Sequence, residues 1–261
     1  MLAAALWGLS LAAAPSVSGA PAQQVNPEER PLVLLTEAAH PPYAYFTAKG
    51  DISGFEIELM KALCARIRRS CLFKHKEFDR LVPALLGRKG DAIVSGLEIN
   101  EERREKFTLS RPYFRMPVLM IARKDAMPGA LTSEALADSS IGALRDSPFA
   151  ALAADRFPKA ELDTYATQIE VNLDLAASRI DLAIGDELSL RDWLKAAPEA
   201  GCCAAAGRVA DPRFIAGEGF AVVMRKGDDE LKSKLDTALE AERADGSYAA
   251  IAREYFGFDL P

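Results

Sequence analysis

Histidine is almost missing from this chain, which has two in 261 residues, His40 and His75. With four cysteines and no supporting histidine cluster, a zinc centre is not expected, and no cofactor is assigned. No Walker loop or nucleophile elbow occurs either. Positive charge is not in excess: 32 Lys and Arg face 38 Asp and Glu, a net charge of −6. That leaves no basic stripe to neutralise phosphates, so a nucleic-acid partner is not expected. Beyond the N-terminus no apolar run approaches the ~20 residues that span a bilayer. What is present is a chain that is 49% hydrophobic, enough for one large domain or two modest ones.

The N-terminal stretch "MLAAALWGLSLAAAPSVSGAPAQQ" is uncharged and Ala/Leu-rich, with small residues around Ala20-Pro21-Ala22. It predicts a cleaved secretory signal over residues 1–22 and a soluble exported protein, although no Lys or Arg precedes the apolar run. No cysteine follows that run, so no lipid anchor is expected. In an oxidising compartment Cys64 and Cys71, at a helix-to-strand junction, suit a disulfide staple. The adjacent Cys202 and Cys203 stay open between free thiols, a mutual bond and pairing elsewhere.

Periodicity organises the rest. "PLVLLTEA" reads as a buried strand, "HPPYAYF" as a proline-rich loop and "AKGDISGF" as a hairpin turn. Phe55, Leu59, Leu63 and Ile67 recur every fourth residue, which predicts an amphipathic helix. Strand and helix then alternate through "CLFKHKE", "FDRLVPALLGRK", "DAIVSG", "VLMIAR", "IGAL", "FAALAADRF", "ELDTYA" and "DLAIGD". This is an α/β chain with mostly parallel sheets. "LLGRKGDAIVSG" (85–96) aligns without a gap on "LAASRIDLAIGD" (175–186), setting Asp91 on Asp181 and Gly96 on Asp186. Two sheets of similar build would each send a strand end into a shared cleft, although a generic αβ unit could leave the same trace. A strand at 220–226 and two helices broken at Asp245-Gly246 complete the chain.

Several motifs then carry a family likeness. "HPPYAYF…GDISGFEIELMKALCARI", "FDRLVPALLGRKGDAIVSGLEINEERREKFTLSRPYF" and "ERADGSYAAIAREYFGFD" resemble the polar amino-acid-binding proteins of bacterial ABC importers, solute-binding family 3. The cysteine spacing and Ser95-Gly96-Leu97-Glu98 are similar to the arginine and lysine-arginine-ornithine branch. The resemblance implies a type II periplasmic binding protein with two α/β lobes joined by two crossover strands. Lobe one would comprise residues 27–116 and 219–261, and lobe two residues 117–218. It further implies a monomer in the periplasm that closes on an amino acid and passes it to an inner-membrane permease. By position, Arg103 would hold the ligand carboxylate and Asp186 its ammonium. Phe78 and His40 would flank the side chain, Ser95, Gly96 and Glu98 would floor the site, and Glu37 would stand near the side-chain end.

The chemistry of these residues supports such roles without compelling them. A guanidinium meets a carboxylate through two parallel N–H···O bonds, which suits Arg103. Asn100 reads as the N-cap of a short helix, so free amides beside Arg103 would join the same anion. Arg103 could equally be a solvated partner of the acids around it, and Asp186 an ordinary N-cap. Glu98 could bind the ammonium, hold Arg103 or face solvent. Phe78 could stack on a guanidinium or sit in the core. His40 replaces the Tyr or Phe usual in the resembling family. In lobe two, Ser147-Pro148 stands where that family has a Gly-Thr-Thr or Gly-Ser-Thr turn that binds the carboxylate. Ser147 still caps a helix with Pro148 at its first position, but one N–H is lost and Arg145 and Asp146 add charge. A cationic amino acid, arginine foremost, is the expected ligand. The alternatives are an opine or other modified amino acid, and an enzyme of the cyclohexadienyl dehydratase kind.

Overall fold

The computed structural model describes residues 30–209 and 219–260. The expected signal at 1–22 and residues 210–218 lie outside the described residues. The first set of elements is β1 (Leu32–Thr36), β2 (Ala39–His40), β3 (Ala44–Phe46), β4 (Ile52–Ser53), α1 (Phe55–Arg66), β5 (Cys71–His75), α2 (Phe78–Leu86), β6 (Ala92–Ile93), α3 (Glu101–Lys106) and β7 (Phe107–Leu109). The second set is β8 (Val118–Arg123), β9 (Ser140–Leu144), α4 (Pro148–Arg156), β10 (Glu161–Tyr165), α5 (Gln168–Ala176), β11 (Leu182–Asp186), α6 (Glu187–Ala196) and β12 (Cys203–Arg208). Then come β13 (Val223–Arg225), α7 (Asp229–Ala244) and α8 (Ser247–Phe256).

Two five-stranded sheets result, ordered β5-β1-β6-β13-β7 and β10-β9-β11-β8-β12. In each, four strands run one way and a single strand runs against both its neighbours, β13 in the first and β8 in the second. The mostly parallel α/β architecture expected from the sequence is therefore present. In each sheet the reversed strand is the one that arrives from the other sheet: β8 follows β7, and β13 follows β12.

Helices cover both faces. Leu59, Met60 and Leu63 of α1 join Leu235, Leu239 and Phe256 of α7 and α8 over one face of the first sheet. Leu81 and Leu85 of α2 pack with Leu35, Ile93 and Val223 on the other. In the second sheet Leu152 and Ala153 of α4 cover one face, and Val171, Leu175 and Leu190 of α5 and α6 the other. Buried side chains of this size each contribute about 1.5–3 kcal/mol. Strands covered on both faces need continuous apolar runs, whichever way they run, which is why "LVLL" and "VLMIA" lack polar alternation.

One local expectation is corrected. "HPPYAYF" is not a plain loop: β2, β3 and β4 form a small antiparallel sheet, with His40 opposite Ala44 and Tyr45 opposite Ser53. Pro41 and Pro42, joined by a cis peptide, occupy the turn where no ladder donor is needed. The Tyr43 amide closes that turn on the His40 carbonyl at 2.8 Å. Gly54 follows with φ of 131°, and any Cβ there would overlap the Tyr43 carbonyl.

The internal echo is structural. Arg88 and Ser178, aligned in the repeat, both adopt a left-handed φ, of 56° and 60°. The Lys89 and Arg179 amides both return to the preceding helix, on the Ala84 and Asp174 carbonyls at 2.9 Å. The Asp91 carboxylate accepts the Val33 amide at 2.9 Å, and that of Asp181 the Ser140 amide at 2.8 Å. Each aspartate thus ties the start of one strand, β6 or β11, to the start of its parallel neighbour, β1 or β9. Cys64 and Cys71 form the expected disulfide, with Cα atoms 5.9 Å apart, and Cys202 is joined to Cys203.

Candidate functional site

The C-terminal ends of β1 and β6 open into a cleft of about 320 Å³, lined by His40, Tyr43, Glu56, Phe78, Ser95, Gly96, Phe114 and Phe220 among others. Open α/β sheets bind ligands at this edge. Phe78 begins α2 and is 50% exposed, so it is a wall of the cleft rather than core. Ser95 follows β6, and its hydroxyl accepts the Glu37 amide at 3.1 Å. The Glu37 carboxylate lies 3.0 Å from His40 Nε2, while the Glu37 carbonyl accepts from His75 Nδ1 at 2.7 Å. Glu37, His40 and Ser95 thus form one connected edge of the cleft.

Beneath Gly96 lies a fully buried acid. Glu56 Oε1 accepts the Gly96 amide at 2.9 Å and the Tyr113 hydroxyl. Gly96 takes φ of 58° in open space, a left-handed turn that aims its N–H at this carboxylate. Burial pushes the Glu56 carboxyl up, against the Tyr113 and Gly96 bonds and the field of His40. Burial likewise pushes the Tyr43 phenol up, reinforced by the Asp186 and then the Glu56 carboxylates. Asp186 ends β11 in the second sheet, and its field reaches Tyr43 in the cleft lining.

Arg103 sits in α3, and its Nη1 donates to the Glu98 carbonyl at 2.7 Å. The backbone of Glu98, not its carboxylate, therefore holds the guanidinium; the Glu98 side chain is exposed. Asn100 caps α3 as expected, and its Oδ1 accepts the N–H of Arg103 itself at 2.8 Å, so that one amide is consumed in the helix cap. Asp186 does act as an N-cap, accepting the Ser189 amide at 2.8 Å through Oδ1. Ser147 caps α4 as the Ser-Pro pair predicts, accepting the Ala150 amide at 3.2 Å while its hydroxyl donates to the Leu144 carbonyl at 2.5 Å. That hydroxyl is already committed at both its donor and its acceptor. Of the nine candidate site residues, His40, Phe78, Ser95 and Gly96 line the cleft.

These features match known proteins along nearly the whole described chain. The family of bacterial extracellular solute-binding proteins, family 3, matches residues 32–258. The chain belongs to this family. An L-arginine-binding protein of Pseudomonas aeruginosa is 34% identical over 243 residues, covering 89% of this chain and 90% of that protein. The lysine/arginine/ornithine-binding periplasmic protein of Escherichia coli is 33% identical over 227 residues, covering 86% and 87%. Among solved structures, the L-cystine solute receptor of Neisseria gonorrhoeae shares the fold with a TM-score of 0.73 at 20% identity, covering 89% of this chain and 95% of that one.

Sequence reasoning about this family 3 protein passed over Glu56, Tyr43, Phe114 and Phe220. Glu56 carried a signal: it shares the apolar stripe of α1 with Met60, Leu63 and Ile67, where an acid must find a partner. Phe220 carried none, since it reaches the cleft only by bridging Glu98 and Phe114 across the returning chain. Among the described residues no cluster of three or more His, Cys, Asp or Glu could hold a metal, and no helix is long and apolar enough to cross a membrane.

Proposed function

We propose that this protein captures a cationic amino acid, arginine foremost, and hands it to an ABC permease. The observation that carries the reading is an aromatic-lined cleft with Glu56 in its lining, the Glu37 carboxylate on His40 at its edge, and the Asp186 carboxylate near enough for its field to reach Tyr43. A ligand with a cationic side chain and an ammonium answers that excess of negative charge. Phe78 offers a face for a guanidinium, worth about 0.5–2 kcal/mol. Arg103 takes the ligand carboxylate by exchanging its Glu98 carbonyl for a bidentate pair, and Asp186 uses the carboxylate oxygen left free by its cap on the ammonium. Glu37 and His40 stand at the side-chain end, and Ser95 and Gly96 form the floor. The names of the arginine-binding and lysine/arginine/ornithine-binding relatives support the same ligand class. Residues 30–116 with 219–260 and residues 117–209 act as two lobes that close on the ligand, in a monomeric periplasmic receptor that is not an enzyme.

A second reading has its own observation. Ser147 has spent its hydroxyl and Pro148 has no amide, so the second sheet offers few donors to a carboxylate there. This altered turn admits a modified or larger cationic amino acid, such as an opine, beside a free one. A thermal-shift panel of arginine, lysine, ornithine, histidine, opines and prephenate separates the readings. A ligand at ~100 times its Kd stabilises by about 2.7 kcal/mol. A rise with arginine, lysine, ornithine or histidine supports the first reading, and a rise with opines alone the second. Turnover of prephenate would replace both with an enzyme.

A further inference from the structure

Immediately after Asp186, the chain buries a second acid that the cleft does not use. The Glu187 side chain is 0% exposed and lies between two guanidiniums. Arg191 Nε donates to Oε1 at 2.7 Å and Arg208 Nε to Oε2 at 2.5 Å. Both arginines also face the ring of Phe258, with Cζ atoms 5.3 and 5.6 Å from its centroid. Arg208 Nη2 donates to the Asp259 carbonyl at 2.6 Å. Phe258 belongs to the apolar core of the first sheet, whereas Glu187 and Arg208 belong to α6 and β12 of the second. The C-terminal tail is therefore a strap between the two halves.

Glu187 also touches the chain where it first crosses between the sheets. Its amide donates to the Pro117 carbonyl at 2.9 Å, just before β8. Arg208 ends β12, where the chain begins its return. Glu187 thus meets the departing chain through its amide, and the return and the tail through its carboxylate and Arg208, one residue from the acid placed on the ligand ammonium. A buried carboxylate held by two charge-assisted bonds has little freedom, and what it holds inherits that rigidity. Preorganised groups bind more tightly because the cost of ordering them is already met.

We propose that Glu187, through Arg208 and Phe258, fixes how the helix bearing Asp186 sits against the first sheet, making Arg208 and Phe258 positioning residues for ligand capture. This rests on the reading of Asp186 as the ammonium partner in a two-lobed receptor. Neither Arg208 nor Phe258 lines the cleft, so any effect on affinity travels through α6.

The test is calorimetric titration of arginine into the full chain and its Phe258→Leu and Arg208→Gln variants, alone and with Asp186→Asn. Leucine keeps the apolar volume but removes the ring face, and Phe258→Tyr restores it. Each single variant is expected to weaken arginine about tenfold, Phe258→Tyr to stay within twofold of wild type, and the loss to shrink below twofold in the Asp186→Asn background. Unchanged affinity in both single variants, or an equal loss in the Asp186→Asn background, overturns the proposal. Spin labels at Lys49 and Lys195 supply a readout that needs no ligand. Their distance distribution is expected to broaden in Phe258→Leu, and an unchanged distribution also overturns it. If wild type takes up no cationic amino acid, the functional reading fails, and the label distances alone decide the strap.

Discussion

The third strands of the two sheets begin alike and end differently. Both β6 and β11 are preceded by a left-handed residue, Arg88 or Ser178, and an aspartate that ties down the neighbouring strand, β1 or β9. At their far ends β6 runs into Ser95 and Gly96, whose amide is turned onto buried Glu56, while β11 ends on Asp186, an acid capping α6. The shared beginning is scaffold, because every partner in it is a neighbouring strand or helix. On the proposed reading, recognition is built at the divergent ends, where the strands run out of partners. One end supplies a shaped floor and the other a charge, which an asymmetric ligand with distinct ends requires.

The largest test of that division falls on the ligand groups. Arg103→Ala is expected to weaken arginine binding at least a hundredfold in a titration, about 3 kcal/mol for a lost bidentate pair, while leaving the melting temperature nearly unchanged, since among the described residues the guanidinium holds one carbonyl. If affinity survived, the strand ends would not be the recognition surface. The scaffold half breaks next. Asp91→Ala should cost about 2 kcal/mol in a denaturant titration, for it removes an acceptor from Val33 and a partner from Arg30. Asp181→Ala, at an exposed site, should cost about 1 kcal/mol. Equal losses would mean that the two strand beginnings match in energy as well as geometry.

Acid unfolding sharpens the same contrast. Burial acts to raise the Asp91 carboxyl, but the Arg30 bond, the Val33 amide and the fields of Arg30 and Arg69 outweigh it and hold it below its ordinary value. Its contribution is then full above about pH 4 and lost as pH falls through the lowered value, a dependence that Asp91→Asn should remove. Gly96→Ala tests the floor: with open space around it, only the left-handed backbone opposes a Cβ, so about 1 kcal/mol is expected. The smallest change at acid pH belongs to Glu56→Gln, which keeps both bonds to Oε1. Because burial raises the Glu56 carboxyl, the native state holds its proton longer than the unfolded chain. Wild-type stability is expected to fall relative to the variant as pH rises from about 4.5, the ordinary value, through the raised one.

Much of the scaffold was legible because it rests on local signals. The four-residue period of α1, the Asn100 and Ser147 caps, the break before Gly246 and the Cys64–Cys71 staple all involve residues close in sequence. The β2–β3 hairpin was not legible, since two prolines look like loop until their neighbours are seen to pair. In the site, Phe78, Ser95 and Gly96 could be placed by motif. The state of each side chain could not: Asn100 consumes the Arg103 amide, Leu144 consumes the Ser147 hydroxyl, and the Glu98 backbone rather than its acid meets Arg103.

The sequence by itself determined the alternation of strands and helices, the duplicated αβ unit and the family, because hydrophobic period, caps and motifs are written in consecutive residues. Tertiary structure alone decided that Glu56 lies under Gly96, that Phe220 returns to the cleft and that Phe258 straps the halves together. Those contacts join residues far apart in the chain. Their partners are selected by burial and charge once the sheets have formed, not by any spacing along the sequence.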